Sequence, residues 1–439
     1  MKHTLLFLFV SIQLVAQNNL YTHQVFVLNE GYQDYVTEEI IVPVTLGTYD
    51  PVNETYTIVD TIDGARFASD ILIEGQFVYV AADKDLLKYD KDPYQLISSQ
   101  QVVGIRNIAI WNDYILISRG EYDPTTFGSY PFESFLQVYD KNDLSFVHQF
   151  DTINGPKWSA QNIQIVDNKA FVTINNGFQW GSEKGLIAEV DLELLNYVAE
   201  YDLGVDGKNP DNLMKSNDFL YTVNNKDWNS SSISKMDLTT GDITTTNLST
   251  SSTNGCGTSC MRFNDKIYYQ HLYGTNLYVF DVISNQTIDS INTLNLSYYG
   301  LDVDSVNNIM YASVTDFFSS GYVQLIDENN VVVGSFDASV SPGNFAFDVR
   351  EDNISILESN KSHFSVYPNP TSDYCNVVYN NIQNCSIEII DVLGNIVFNK
   401  KISEEEDTKL KLNKLNKGFY IINLYSSKVL IDSEPLILD

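Results

Sequence analysis

Gln76-Phe77-Val78-Tyr79-Val80-Ala81-Ala82-Asp83-Lys84-Asp85-Leu86-Leu87-Lys88-Tyr89-Asp90 is the stretch that decides the fold. An apolar run of strand-forming residues is turned by a polar group into a second run that ends on aromatic-Asp. Similar units close at Asp50 (Thr-Tyr-Asp), Asp140 (Val-Tyr-Asp), Asp191 (Glu-Val-Asp), Asp237 (Lys-Met-Asp), Asp281 (Val-Phe-Asp) and Asp327 (Leu-Ile-Asp). Counting Asp90, successive spacings are 40, 50, 51, 46, 44 and 46 residues. A loose period of this size is that of a four-stranded blade, and a series of them predicts an all-β chain built as a seven-bladed β-propeller over residues 18–355.

Working outward from that unit, Ala68 to Gln101 makes one complete blade, and later blades begin at Asn107, Asn162, Asn212, near Cys260 and near Gly300. The blade starting at Asn107 carries a long insertion, Arg119 to Glu133. The segments Gln24–Asn29, Ile40–Asp50 and Tyr56–Ile62 make a first blade that lacks its innermost strand. Phe345 to Val349, at the far end, supplies it, because an open ring leaves two blade faces unpacked. Leu192 to Tyr201 has a periodicity compatible with a short helix, but its place after Asp191 makes it an outer strand. Asp70, Asn107, Asn162, Asn212 and Asn344 each precede an innermost strand, with Cys260 and Gly300 in the same place in the other two blades. Two readings of that series stay open: side chains bonding the local backbone at a loop–strand entry, or a polar ring around an axial channel.

The composition limits function. With 57 acidic against 26 basic residues the net charge is −31. Affinity for nucleic acid or for an anionic membrane surface comes from Lys and Arg, so both are excluded as partners. Residues 1–16 have a basic tip and a short apolar run, and read as a secretory signal peptide. No later apolar run is long enough to span a bilayer, so no transmembrane segment is expected. No Cys stands near Ala16, which argues against a lipid-anchored N-terminus. All four Cys lie in the exported part, where disulfides form. Cys256 and Cys260 frame a Gly-Thr-Ser turn and are a possible disulfide, whereas two Cys with no nearby His are too few for a metal site. Cys375 and Cys385 are a second possible pair, across a hairpin.

The period stops after Glu351, and a polar linker covers 356–363. Then come Phe364-Ser365-Val366-Tyr367-Pro368-Asn369-Pro370, Asp391-Val392-Leu393-Gly394 and Leu415-Asn416-Lys417-Gly418-Phe419-Tyr420. Alone these read as strands and turns of a small C-terminal β-sandwich over 364–439. Together, and in this order, they closely resemble the type A C-terminal sorting domain of the type IX secretion system of Bacteroidota. The resemblance implies handling by the type IX machinery and a mature protein that is extracellular or on the outer-membrane surface. The ending Glu434 to Asp439 lacks that family's usual basic finish. Val27-Leu28-Asn29-Glu30-Gly31 looks like the opening of secreted seven-bladed propellers of the same phylum, and Tyr221-Thr222-Val223-Asn224 is similar to their Tyr-Val-Thr-Asn repeat. Some of these relatives bind corrinoids at the cell surface as partners of an uptake transporter, but those are lipoproteins.

In such a fold, loops joining the second and third strands of a blade share a face with the connections between blades. The first class carries Tyr32, Tyr35, Tyr122, Phe127, Tyr130, Phe178, Trp180, Trp228, Tyr273, Phe317 and Phe318, and the second carries Trp158 and Tyr299. Aromatic rings in normally polar loops suggest either a stacking surface or loops that bury their own rings. The candidate ligand-binding residues are Trp158, Trp180, Trp228, Tyr299, Tyr122 and Tyr273, with Arg66 and Arg106. The two arginines, like Lys157 on the same face, are either surface ion pairs or anchors for an anionic group. No nucleophile, zinc or phosphate motif occurs. Glu30, Glu121, Asp123 and Glu133 are the carboxylates available for a glycoside-hydrolase reading. The sequence therefore supports a binding module for a small molecule or glycan, with a protein-interaction scaffold and, third, an extracellular hydrolase as alternatives. It indicates no cofactor.

Overall fold

The computed structural model describes residues 19–226, 229–249, 251, 259–262, 265–352, 364–379, 385–402, 407–426 and 429–439. The expected signal peptide, Trp228, Cys256 and the linker lie outside them. Among the described residues there is no helix, and the chain forms one compact unit from Asn19 to Asp352 and another after it.

The first unit is a succession of four-stranded antiparallel sheets. The unit that opened the sequence reading is typical: Ala68–Glu74, Phe77–Ala82, Asp85–Asp90 and Leu96–Gln101 pair in that order. Phe77–Ala82 is buried along nearly its whole length, because sheets pack on both of its faces, and so it is apolar throughout rather than alternating. Leu96–Gln101 lies at the sheet's outer edge and is largely exposed. The outer strand expected after Asp191 is Asn196–Asp202. The closing aspartates end the third strands and turn the chain: Asp50 accepts the amides of Val52 and Asn53 at 2.8 and 3.0 Å. Asp140, Asp191, Asp237 and Asp281 repeat this pattern, and Asp327 binds the amides of Asn329 and Val331. The repeat is thus one of Asx turns, in which a carboxylate satisfies amides left over by the turn.

The first strands are Ala68–Glu74, Ile105–Trp111, Ala160–Val166, Pro210–Ser216, Ser259–Arg262 and Leu301–Asp304, with Pro342–Asp352 serving the N-terminal sheet. Each contacts the next in that series, and Pro342–Asp352 returns to Ala68–Glu74. The hydrophobic cores sit between consecutive sheets. Tyr79 and Leu86 pack with Ile105 and Ile117, Leu116 and Val138 with Val172 and Ala188, and Tyr221 and Ile233 with Ile267 and Phe280. The last such core joins Tyr311, Val323 and Phe336 to Val25, Val27 and Tyr49, so the final sheet packs on the first.

The strand exchange that produces this closure joins the two segments expected to pair. Asn19–Asn29 pairs antiparallel with Pro342–Asp352, with Val25 opposite Phe347, Phe26 opposite Ala346 and Val27 opposite Phe345. A buried ion pair lies beside the seam. Lys91 Nζ, from the next sheet, is 2.7 Å from Asp348 Oδ1, and Gln24 Nε2 and Arg350 also donate to that carboxylate. Burial works to raise the Asp348 pKa, but the Arg350, Lys91 and Gln24 bonds together hold it below the usual range. The opening motif is the other fastener. Asn29 Nδ2 reaches Thr45 O and Tyr56 Oη, and the amides of Glu30 and Gly31 bond Ser341 O and Val340 O. Gly31 has φ +72, and a Cβ there would stand 2.2 Å from Val42 O, so no other residue fits.

In the second unit, Ser365–Tyr367, Tyr374–Val378 and Asp407–Lys411 form one sheet. Ile396–Lys401, Cys385–Asp391, Gly418–Ser426 and Val429–Leu438 form another. Cys375, Val377 and Leu410 of the first share a core with Ile387, Ile389, Ile422 and Leu436 of the second. Cys375 and Cys385 therefore stand on different sheets, and the pairing across one hairpin is corrected. The sorting motifs are clamps. Asn369 Nδ2 donates to Pro435 O at 2.6 Å while its Oδ1 accepts Ile437 N, which ties the Tyr-Pro-Asn-Pro segment to the last strand. Asp391 Oδ1 accepts the amides of Leu393 and Asn395 around Gly394 at φ +86. Tyr420 Oη donates to Asn416 O, folding the Leu-x-x-Gly-x-Tyr turn back on itself.

Candidate functional site

The series of polar residues ahead of the first strands gathers around one channel of about 410 Å³, lined by Asp70, Asn107, Asn162, Asn212, Asp302 and Asn344 among others. Asp70 and Asp302 each accept the amide of the next residue, Ile71 and Val303, and four of the series also bond beyond their own loops. Asp70 Oδ2 accepts Asn107 Nδ2 at 2.5 Å and Ile108 N at 2.8 Å; Asn107 Oδ1 accepts Ile163 N; Asn162 Oδ1 accepts Asn212 N; Asn212 Nδ2 donates to Ser259. Asp70, Asn107, Asn162 and Asn212 therefore each grip the first strand of the following sheet, which convergence towards the channel brings within reach. Two expected members differ. Ser259, not Cys260, takes the bond in its sheet, and Cys260 is buried with Sγ 3.9 Å from Met310 Sδ. Gly300 contributes its amide to Ser313 Oγ, and the channel carboxyl of that sheet is Asp302. Burial pushes Asp70 and Asp302 up to about 7, and each backbone amide bonded to them partly opposes it.

In sheets of this strand order, the second-to-third loops and the connections to the next sheet leave from the same end. There, Glu30, Tyr299 and Arg106 come together. Tyr299 Oη donates to Glu30 Oε1, and burial carries Glu30 to about 7 against that bond and the Arg106 charge. Tyr299 also meets Phe317 edge-on at 5.0 Å. Arg106 Nε donates to Gln161 Oε1 at 3.1 Å and the guanidinium lies over Phe178 at 5.3 Å. Arg66 is held by Asp83 at 2.5 Å and Glu121 at 2.9 Å, which raises its pKa, the Asp83 bond first. Of the two readings left open for Arg66, the ion pair is the one the geometry shows. Asp123 accepts from Thr125 N and Thr126 Oγ1, an ordinary turn.

A separate cleft of about 660 Å³ opens between the loops of the sheets that begin at Ile105 and Ala160. Trp158, Tyr130 and Phe132 form its apolar walls, and Lys157, Lys184, Gln179 and Ser182 its polar ones. The walls are ordered from behind. Arg119, nearly buried, lies over Phe132 at 4.0 Å and donates to Val103 O and Ser134 O. Tyr130 and Phe132 are 4.7 Å apart, and Lys184 Nζ sits 4.6 Å over Trp158. Trp180, 76% exposed, stands beside the lining residue Gln179. Tyr122 is half-exposed on a short hairpin opposite Ser129, and Tyr273 is 89% exposed on another sheet's loop. The candidate residues thus divide among the Glu30 cluster (Tyr299, Arg106), an ion pair (Arg66), a cleft (Trp158) and solvent-facing rings (Trp180, Tyr122, Tyr273). The sequence reading missed Lys184, Phe132 and Gln161. The only available signal was nearness in the chain: Phe132 is two residues from Tyr130, Gln161 three from Trp158 and Lys184 four from Trp180.

Residues 365–435 match the family model of the secretion system C-terminal sorting domain. Curated protein sequences give no match to the chain. Among solved structures, the chain is similar to a hypothetical selenium-binding protein from Sulfolobus tokodaii, at 12% identity and a TM-score of 0.54 over 75% of this chain and 94% of that one. It is similar to a 6-phosphogluconolactonase candidate from Bacteroides fragilis, at 12% identity and a TM-score of 0.52 over 74% and 98%. The extracellular domain of a candidate one-component system of B. thetaiotaomicron gives 13% identity and a TM-score of 0.51 over 94% of this chain and 57% of that one. At such identities the likeness speaks for the fold alone. The chain is thus an all-β, propeller-like protein carrying a type IX sorting tail, which points to export and to the cell surface or its exterior. No helix among the described residues is long and apolar enough to cross a membrane.

Proposed function

We propose that the chain is a seven-bladed propeller, residues 18–355, followed by a sorting β-sandwich, residues 364–439, and that it works outside the cell as a binding module. On this reading the loop face recognises a small molecule or glycan. The observation that carries it is the cleft walled by Trp158, Tyr130 and Phe132, because ordered rings on a wet surface are suited to stacking on a flat ligand. The closed series of inter-sheet cores supports the ring, and the Val27–Gly31 and Tyr221–Asn224 segments support kinship with YVTN-like propellers of Bacteroidota. A second reading, a protein-interaction scaffold, is favoured by Trp180, Tyr273, Tyr35 and Phe127, which project into solvent away from any one cleft. The test is a thermal-shift screen of glycans, corrinoids and other nutrients, followed by titration of each hit against Trp158→Ala and Trp180→Ala. The small-ligand reading expects a hit that Trp158→Ala weakens tenfold or so. Binding unaltered in both variants would refute it, and an isolated dependence on Trp180 and Tyr273 for a protein partner would favour the scaffold.

A further inference from the structure

The cleft between the loops of the sheets beginning at Ile105 and Ala160 is lined by two lysines and by no carboxylate. That is unexpected in a chain with 57 acidic and 26 basic residues. Elsewhere on this unit Arg66, Lys91, Lys141, Lys169, Lys226 and Arg350 form ion pairs. Among the described residues Lys157 and Lys184 form none. Glu183, next to Lys184 in sequence, is buried and accepts the Gly181 amide at 3.0 Å. Lys184 is held over the Trp158 ring, which fixes its ammonium at the cleft wall. Keeping two like charges beside one cleft is unfavourable until an anion joins them.

Resting on the loop-face reading above, we propose that this cleft takes an acidic saccharide. Tyr130, Phe132 and Trp158 give the cleft an aromatic wall for the C–H side of a pyranose ring. Gln179 and Ser182 offer hydrogen bonds to its hydroxyls, and Lys157 and Lys184 receive its carboxylate. The volume, about 660 Å³, suits two or three sugar units. The acidity of the rest of the surface makes the preference local: screening confines charge effects to about 8–10 Å, so the paired lysines dominate at the cleft.

The full chain is titrated calorimetrically with trigalacturonate, with the neutral trisaccharide in which each carboxylate is reduced to the alcohol, and with citrate, an anion without a sugar ring. The expected result is binding of trigalacturonate, with the neutral sugar and citrate at least about tenfold weaker. Lys157→Gln/Lys184→Gln should lose that same factor for trigalacturonate only, and Lys157→Arg/Lys184→Arg should restore it. Lys157→Gln alone, at an exposed position, carries the test if the double variant does not fold. Equal binding of acidic and neutral sugars, an indifferent Lys157→Gln/Lys184→Gln variant, citrate matching trigalacturonate, or no binding of trigalacturonate each overturns the proposal. If a neutral sugar or another small molecule binds with dependence on Trp158, the loop-face reading survives and only the acidic preference falls.

Discussion

Replacing Asp348 by Ala should open the seam at which the two ends of the first unit meet. Asp348 is 0% exposed and Lys91 8%, and the carboxylate gathers Lys91, Gln24 and Arg350. Removing one partner of a buried pair leaves an uncompensated charge and costs about 3–5 kcal/mol. Arg350 keeps Asp92 at 2.5 Å, so only Lys91 is stranded and the lower end, about 3 kcal/mol, applies. With m near 3 kcal/mol/M for a unit of this size, the urea midpoint should fall by about 1 M. Asp92→Ala is the control. It removes an exposed partner of the same arginine, 48% exposed, and should change stability by less than about 1 kcal/mol. Because the folded Asp348 pKa is depressed, its stabilisation is present above the unfolded carboxylate pKa and is lost as the pH falls through the folded one. Equal midpoints for Asp348→Ala and Asp92→Ala would refute the buried tie. So would Lys91→Met/Asp348→Leu proving as unstable as Asp348→Ala, since an apolar pair of similar size should restore most of the loss.

The channel carboxyl Asp302 has the opposite sign. Its folded pKa, about 7, lies above the unfolded value, so the stability it contributes is present at low pH and lost as the pH rises through 7; urea midpoints measured from pH 5 to 8 should fall less in Asp302→Asn than in the parent. Asn107→Ala, which frees the Ile163 amide and leaves Asp70 Oδ2 with the Ile108 amide as its donor, should lower stability by about 1–3 kcal/mol in the same assay, and an unchanged midpoint would show that the inter-sheet grip is dispensable. Ending the chain after Glu358 should leave residues 19–352 folded but retained in the periplasm, and arrival of the truncated protein in the medium would refute the sorting role of the tail.

Legibility in the sequence followed how far each signal reaches along the chain. The period of closing aspartates was readable because these residues act within their own turns: Asp50, Asp140, Asp191, Asp237 and Asp281 bond amides two and three residues ahead, and Asp327 amides two and four ahead. The exchanged strand was readable because a blade lacking an inner strand at one end and a spare strand at the other can be matched by counting. The Asx series was only half-readable. Its positions were evident, but its hydrogen bonds run to residues such as Ile108 and Ile163, 38 and 56 positions away, and nothing local marks such a partner. Arg66 could not be resolved for the same reason, since Glu121 lies 55 residues on.

The candidate site was the least legible part, and the cause is physical rather than statistical. A propeller repeats its core and varies its loops, so the alternation that reveals strands carries no information about which loops converge. Trp158, Trp180 and Tyr273 look equivalent in sequence, as aromatic residues in polar loops. In the structure Trp158 is held under Lys184 at a cleft wall, while Tyr273 stands in solvent. What separates them is the neighbour across the gap. Phe132 is braced by Arg119, a residue whose guanidinium is tied to Val103 O and Ser134 O within its own sheet. A ring fixed by such a brace loses little freedom when a ligand stacks on it, whereas an unbraced ring must be ordered at the moment of binding. The long insertion of the third sheet, legible only as an irregularity in the period, is therefore the element that makes the half-buried Trp158 one wall of a cleft.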